Sequence, residues 1–326
     1  MNNEFKSKLI NTEISSYGKE FWNAMRGNDA SYTSIVAGKN SMTGTFLLPS
    51  SSASKYATVL ELNNVFRRIG TVVSAMSSDG KIWLTDTTMT PEWVPEGGVI
   101  PTSADPDVTK KPVNAHKLAI ITAVDSDLVG DACFDLENCL MKQFGKRFGK
   151  AEEDAFINGT GVDMPMGILH DTEGAEIGVT ASGEITFDDV LTLYFSVDKQ
   201  YRTDGSWLMN DETALKLKTL KDENGQYLWN QNSDTILDKP VHISEFMPSD
   251  GKPIAFGDFS YYQIIDRMPL TVRTLYEKFA LEQKTGYLGV EYLDGLLIRP
   301  EAVKVLATEQ TVSGSAGGMI EDDDEF

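Results

Sequence analysis

Apolar residues recur at intervals of three and four from Val129 through Cys133, Leu136, Leu140, Phe144, Phe148, Ala151 and Ala155. That spacing places them on one stripe of an α-helix. The opposite stripe carries Asp131, Asp135, Glu137, Lys142, Lys146, Lys150, Glu152 and Glu153, so the pattern predicts a helix over residues 127–158 with a charged, solvent-facing side. Asn158-Gly159 supplies a stop, because glycine tolerates left-handed backbone angles. At 1.5 Å per residue the element would reach roughly 45 Å. Gly130, Gly145 and Gly149 lie within it and lower its intrinsic propensity, so packing against a sheet is expected to hold it.

Upstream, Glu13–Met25 carries Ile14, Tyr17, Phe21, Trp22 and Met25 and reads as a short amphipathic helix in an arm seeking a groove. Residues 27–58 are rich in Ser, Gly, Thr and Ala, with little apolar periodicity, and predict an extended strap. Strand patterns follow at Gly70–Ala75, Lys81–Thr85 and Val113–Val124. Between the last two lie Pro91, Pro95, Pro101, Pro106 and Pro112 with Gly97 and Gly98, predicting a long projecting loop that neither pairs centrally nor packs as a helix. A loop of that length counts against a simple monomeric domain. Its apolar residues Trp93, Val94, Val99 and Ile100, with Phe21 and Trp22 of the arm, are the candidate contacts between subunits.

A second lobe follows the long helix. Thr186-Phe187-Asp188-Asp189 resembles a capping box with Asp in place of Glu or Gln, and Val190, Tyr194, Val197 and Tyr201 form one helical face. Ser206–Asn210 reads as a short buried strand, Asp211 as the cap of a further helix, and Asn224-Gly225 as a tight turn. Ile254–Ile265, Leu270–Leu275, Tyr287–Ile298 and Ala302–Leu306 carry strand patterns, and the final strands are expected to return to the first lobe's sheet. The second lobe, residues 176–270, would then be an insertion in the first.

With 326 residues the chain is long enough for a substantial core. A net charge of −20 repels phosphates and argues against sequence-specific nucleic-acid binding. Glu321–Glu325 closes a solvated acidic tail, residues 311–326. Cys133 and Cys139, six apart and therefore about 240° apart on the helix, would not pair and read as buried thiols of a reducing cytoplasm. No stretch approaches a membrane span, and the first residues lack the apolar core of a signal peptide.

Several segments, in order, resemble the major capsid proteins of tailed double-stranded DNA bacteriophages, the Hong Kong 97 type capsid fold. They are EEDAFINGTGVDMPMGIL after the long helix, WLMNDETALKLKTLKDENGQYLW in the second lobe, and AFGDFSYYQIIDRM leading to IRPEAVKVL. The resemblance implies an α+β fold with an N-terminal arm (1–50) and a peripheral domain (51–79, 117–175 and 271–310) holding the spine helix. It also implies an extended loop (80–116) and an axial domain (176–270). It further implies self-assembly through pentamers and hexamers into an icosahedral head shell enclosing double-stranded DNA, in a virion assembled in the host cytoplasm. A portal protein and a cementing protein are the implied partners. The chain opens on the arm without a long charged helical preface, so a separate scaffolding protein is expected. An encapsulin-type nanocompartment shell is the nearest alternative; a two-domain enzyme with the proline-rich loop as its lid is a more distant one.

Catalytic chemistry finds little support. His116, His170 and His242 are dispersed, without the spacing that sets two imidazoles on one metal. His242, Ser244 and Glu245 lack a nucleophile elbow, and Gly159-Thr160-Gly161 lacks the Lys-Ser or Lys-Thr of a phosphate loop. Relatives that weld subunits through lysine would draw on Lys110 or Lys111, but no carboxylate is placed beside either in sequence. No enzyme activity, cofactor, metal or membrane association is expected.

Overall fold

A computed structural model describes residues 15–37, 41–42, 45–74, 81–86, 93–97, 107–221, 227, 229 and 234–308. Val99, Ile100, the Asn224-Gly225 turn and the acidic tail lie outside the described residues.

The chain divides into two compact units, residues 1–175 with 259–302, and residues 176–258 with 303–326. Helix α1 (Ser15–Met25) opens the first and is followed by α2 (Asp29–Ala37) and the short strands β1 (Ser41–Met42) and β2 (Thr45–Leu47). Helix α3 (Ser50–Leu62) and helix α4 (Val65–Ile69), capped by the Asn64 side chain, lead into β3 (Thr71–Ser74). Residues 27–58 are thus not the expected extended strap. Ser52, Tyr56 and Leu60 recur on one side of α3 and are buried, and that packing supplies what the weak apolar pattern did not announce.

Strands β4 (Lys81–Asp86) and β5 (Asp107–Pro112) form an antiparallel ribbon in register from Lys81 opposite Pro112 to Asp86 opposite Asp107. The proline-rich stretch therefore pairs at its base, and Pro112 is tolerated as the last residue of a two-stranded ribbon. Strand β6 (His116–Asp125) then enters the main sheet, followed by the short helix α5 (Ser126–Gly130) and the long helix α6 (Leu136–Asn158). The long helix begins nine residues later than its apolar pattern predicts. Asp131 caps α5, and Asp135 accepts the Asn138 N–H to start α6 afresh.

Both interior glycines of α6 are explained by its neighbour. A Cβ on Gly145 would come within 2.8 Å of the Val59 side chain, and one on Gly149 within 3.1 Å of Asn63 Cβ, so α3 lies directly against α6. At its end, Gly159 has an ordinary φ of −62° and is not left-handed. Glycine is required there because the Pro165 and Ala155 carbonyl oxygens occupy the space of a Cβ.

In the second unit, β7 (Glu176–Ala181) precedes helix α7 (Phe187–Ser196), whose capping box between Thr186 and Asp189 forms as expected. Helix α8 (Lys199–Arg202), the fully buried strand β8 (Ser206–Met209) and helix α9 (Asp211–Thr219) follow. The cap of α9 is Asn210, whose side chain accepts the Thr213 N–H, rather than Asp211. Strands β9 (Thr235–Ile236), β10 (Lys239–Ile243) and β11 (Ile254–Gly257) complete this stretch.

The chain returns to the first unit with β12 (Tyr262–Leu275) and β13 (Lys284–Leu297), fourteen residues each and antiparallel along their length. Two register shifts between Asp266 and Thr271 interrupt the alternation of β12, which is why it reads in sequence as two strands with a lobe boundary between them. The six-stranded sheet of this unit runs β1-β2-β12-β13-β6, with β3 paired to β12 in parallel. Strand β14 (Val303–Thr308) does not return to that sheet. It pairs with β11 and β7 in the second unit, whose sheet runs β7-β14-β11-β8-β10-β9.

The core of the first unit joins Tyr17, Phe21, Ala24 and Met25 of α1 to Leu140, Phe144 and Phe148 of α6 and to Leu270, Val272 and Tyr287 of the sheet.

Candidate functional site

The residues singled out as contacts between subunits separate into two groups. Phe21 is fully buried in the core of its own unit and presents no surface to a neighbour. Helix α1 is fastened there by hydrogen bonds that periodicity could not reveal. Tyr17 Oη donates to Leu47 O at 2.7 Å and Tyr287 Oη to Met25 O at 3.0 Å. Arg26 donates to the carbonyls of Val129 at 2.8 Å and Asp131 at 3.0 Å, and to that of Phe134. Trp22 is partly buried, and its indole N–H donates to Ser52 Oγ at 3.1 Å. Helix α1 is thus packed into the core of its own unit, and the groove the arm was expected to seek lies within its own chain for Phe21.

Trp93 stands at the other extreme. Its side chain is fully exposed and Val94 is more than a third exposed, on the loop carried by the β4–β5 ribbon. A large aromatic side chain gains nothing from standing in water. At the ribbon's base Lys111 Nζ lies 3.5 Å from Glu173 Oε2 and 3.4 Å from Leu297 O, so the fold does bring a carboxylate to this lysine.

A third group was not legible in the sequence. Glu152 and Glu153, assigned by spacing to the solvent side of the long helix, are both buried, whereas Ala151 on the expected apolar stripe is exposed. Arg67 Nε and Nη2 donate to Glu152 at 2.7 and 2.6 Å, while Nη1 and Nη2 donate to Asp266 at 3.1 and 2.9 Å. Asn64 Nδ2 adds a bond to Glu152 Oε2 at 3.0 Å, and the Val65 N–H donates to Glu153 at 2.8 Å. Burial works against the Arg67 charge, but Glu152 and Asp266 outweigh it and hold the guanidinium protonated. Burial raises Glu152 above the usual carboxylate range, opposed by Arg67.

A third carboxyl, Glu291 on β13, lies beside this pair. Its Oε2 accepts from Tyr56 Oη at 2.7 Å, and its Oε1 is buried without a hydrogen-bond partner. Burial pushes Glu291 well above its ordinary value and the Glu152 charge adds to the effect, outweighing the Tyr56 hydrogen bond and the Arg67 charge, which favour the ionised form. Tyr56 is pushed up as well, by burial and then by Glu291. The network ties α3, α4, α6, β12 and β13 together. The hydrogen bonds that link its elements span 85 to 235 positions in sequence, and no local spacing marks them.

The remaining candidates stay apart. Among the described residues no group of three or more His, Cys, Asp or Glu side chains is placed to hold a metal ion, and no helix is long and apolar enough to cross a membrane. Ser244 is buried, and its Oγ accepts from the Phe246 N–H at 3.3 Å in a turn. Cys133 precedes the long helix and is exposed, and Cys139 is partly buried, so neither is the buried thiol expected; both are free.

The first unit sets the long helix α6 against a long antiparallel sheet and carries the β4–β5 ribbon with its exposed tryptophan, and the second unit is α+β, an arrangement shared with capsid-shell proteins. The Phage capsid family matches residues 44–308, and the chain belongs to that family. It is a major capsid protein, a structural component of the phage head shell. Among solved structures, the capsid of the native GTA particle, computed with C5 symmetry, is 26% identical with a TM-score of 0.63. That match covers 82% of this chain and 94% of the other. The capsid of the empty GTA particle is also 26% identical, with a TM-score of 0.61 over 74% of this chain and 95% of that one. A structure from Mycobacterium phage Bobi shares the fold at 17% identity, with a TM-score of 0.55, covering 76% of this chain and 91% of that chain. No curated protein matches in sequence.

Proposed function

We propose that copies of this chain assemble through pentamers and hexamers into an icosahedral shell around double-stranded DNA. The observation that carries the reading is the family match over residues 44–308, joined to 26% identity with a capsid chain that is covered over 94% of its length. The first unit serves as the peripheral domain, with α6 as its spine. The second unit serves as the axial domain, with its boundaries at residues 176–258 and 303 onward. The ribbon β4–β5 serves as the extended loop, and Trp93 and Val94 pack on a neighbouring copy, where their apolar surface leaves water. Shape-complementary contacts do this work without cofactor or catalysis.

A separate scaffolding protein, a portal protein and a cementing protein are the proposed partners, and assembly takes place in the host cytoplasm before the chain joins the virion. The net charge of −20 suits a container for DNA, because a wall that repels phosphates leaves the packed duplex free to move. Electron microscopy of the purified chain, alone and co-expressed with a candidate scaffolding protein, tests this reading. Closed particles or five- and six-membered rings are expected; a chain that stays monomeric under every assembly condition contradicts it.

A further inference from the structure

Nothing in shell building requires a buried carboxyl whose hydrogen-bond donor is a tyrosine and not a cation, yet the first unit carries one. Arg67 divides itself between Glu152 and Asp266 through Nε, Nη1 and Nη2. Glu291 receives none of its bonds. The groups facing Glu291 are Tyr56 on α3, Arg67 on α4, Glu152 on α6 and Asp266 on β12, while β6 sets Leu118 opposite it. Two of the three charged partners are carboxylates. A third negative charge beside Glu152, Asp266 and the one Arg67 cation, with one oxygen lacking any donor, is strongly disfavoured in a buried site.

The neutral acid fits the same place. The Tyr56–Glu291 hydrogen bond then joins two uncharged groups, and it is a direct polar tie between α3 and β13 across 235 positions. Beside it lies a cavity of ≈ 360 Å³ between α3 and the sheet, lined by Ala53, Tyr56, Leu60, Met268 and Glu291 among others. The lining strand is β12 at its two register shifts, where ladder bonding is interrupted. An ionised Glu291 therefore has a route to hydration, which opens by moving α3 away from the least regular part of the sheet.

We propose that Glu291 and Tyr56 form a proton-held latch: with Glu291 neutral, α3 is fastened to β13, and loss of that proton releases the helix from the sheet. Burial, with the Glu152 charge, raises Glu291 above the ordinary glutamate value of 4.5. Below 4.5 the closed and open forms are both protonated and pH has no leverage. As pH rises from there toward the raised value, only the open form gives up the proton, so opening becomes progressively easier, by up to about tenfold per pH unit. Acid fastens this helix and base loosens it, the reverse of the dependence that a carboxylate held in an ion pair would give.

Two measurements on the folded chain test the latch. Infrared difference spectra of wild type against Glu291→Gln at neutral pH are expected to show one protonated-carboxyl C=O stretch that the variant loses. A wild-type spectrum without such a band, or a band that survives in Glu291→Gln, overturns the proposal. Amide hydrogen exchange of residues 51–62, corrected for the intrinsic pH dependence of exchange, is expected to show opening that grows with pH in wild type and stays flat in Glu291→Gln. Tyr56→Phe removes the tie and is expected to raise opening by a similar factor across this pH range, while the protonated-carboxyl band of Glu291 persists because its carboxyl has lost its one hydrogen-bond donor. Protection of α3 that is independent of pH in wild type, or a pH dependence retained by Glu291→Gln and abolished by Asp266→Asn, contradicts the assignment.

Discussion

At the scale of residues, Arg67 is decisive in the first unit because two carboxylates are buried or half-buried beside its single charge. Replacing it by Met leaves the carboxyl of Glu152 in a dry site with only Asn64 as partner. Breaking a buried pair in this way typically costs about 3–5 kcal/mol. Urea denaturation of Arg67→Met should show a loss of that size at neutral pH, and the loss should shrink as pH falls, since protonating the orphaned acids removes the uncompensated charge. A loss that is the same at pH 5 and pH 8 would mean that the site is wet. Gly159 makes a different demand. Two carbonyl oxygens sit where its Cβ would be, and backbone does not yield as a side chain does. Gly159→Ala should therefore lose about 3 kcal/mol by the same measurement, an overpacking effect at the upper end of its usual range. A substitution within a few tenths of neutral would show that the turn after α6 can shift.

Elements differ in how far they could be read from sequence, and the difference has physical causes. Strand β8 and the cap of α7 are encoded by neighbouring residues: a short apolar run in the first case, and Thr186 with Asp189 in the second. Both were legible. Removing the Thr186 hydroxyl by Thr186→Ala should lower stability by about 1 kcal/mol, the usual worth of an N-cap, detectable as a reduced melting temperature. An unchanged melting temperature would show that α7 is held by packing of Val190 and Leu193 alone. Helices α2 and α3 were not legible. Ser, Thr and Ala dilute the apolar rhythm of α3 to Tyr56 and Leu60, and the packing that supports it comes from α6 at Gly145 and Gly149, more than 80 positions away. The solvent side assigned to α6 holds at Lys142, Lys146 and Lys150 but fails at Glu152 and Glu153, which find their donors on α4 and its cap rather than in water. Periodicity sorts residues by polarity, but a buried ion pair inverts that sorting. The β12 pattern was broken by its own bulges, and with it the expected lobe boundary near residue 270.

At the scale of the whole molecule, the exposed Trp93 beside the β4–β5 ribbon is the feature that the proposed shell accounts for, by burying it on a neighbouring copy. Phe21, chosen as a contact by the same reasoning about aromatic side chains, belongs instead to the core, because the arm that carries it is tied down by Tyr17, Arg26 and Tyr287. The distinction between the two lies in burial alone. The central claim is that copies of this chain close into a shell through such surfaces. Cryo-electron microscopy of particles formed by the purified chain tests it most directly. The account predicts icosahedral particles in which residues 176–258 surround the fivefold axes and Trp93 is buried against a neighbouring copy. Particles in which Trp93 remains in solvent, or a chain that never leaves the monomeric state, would contradict it.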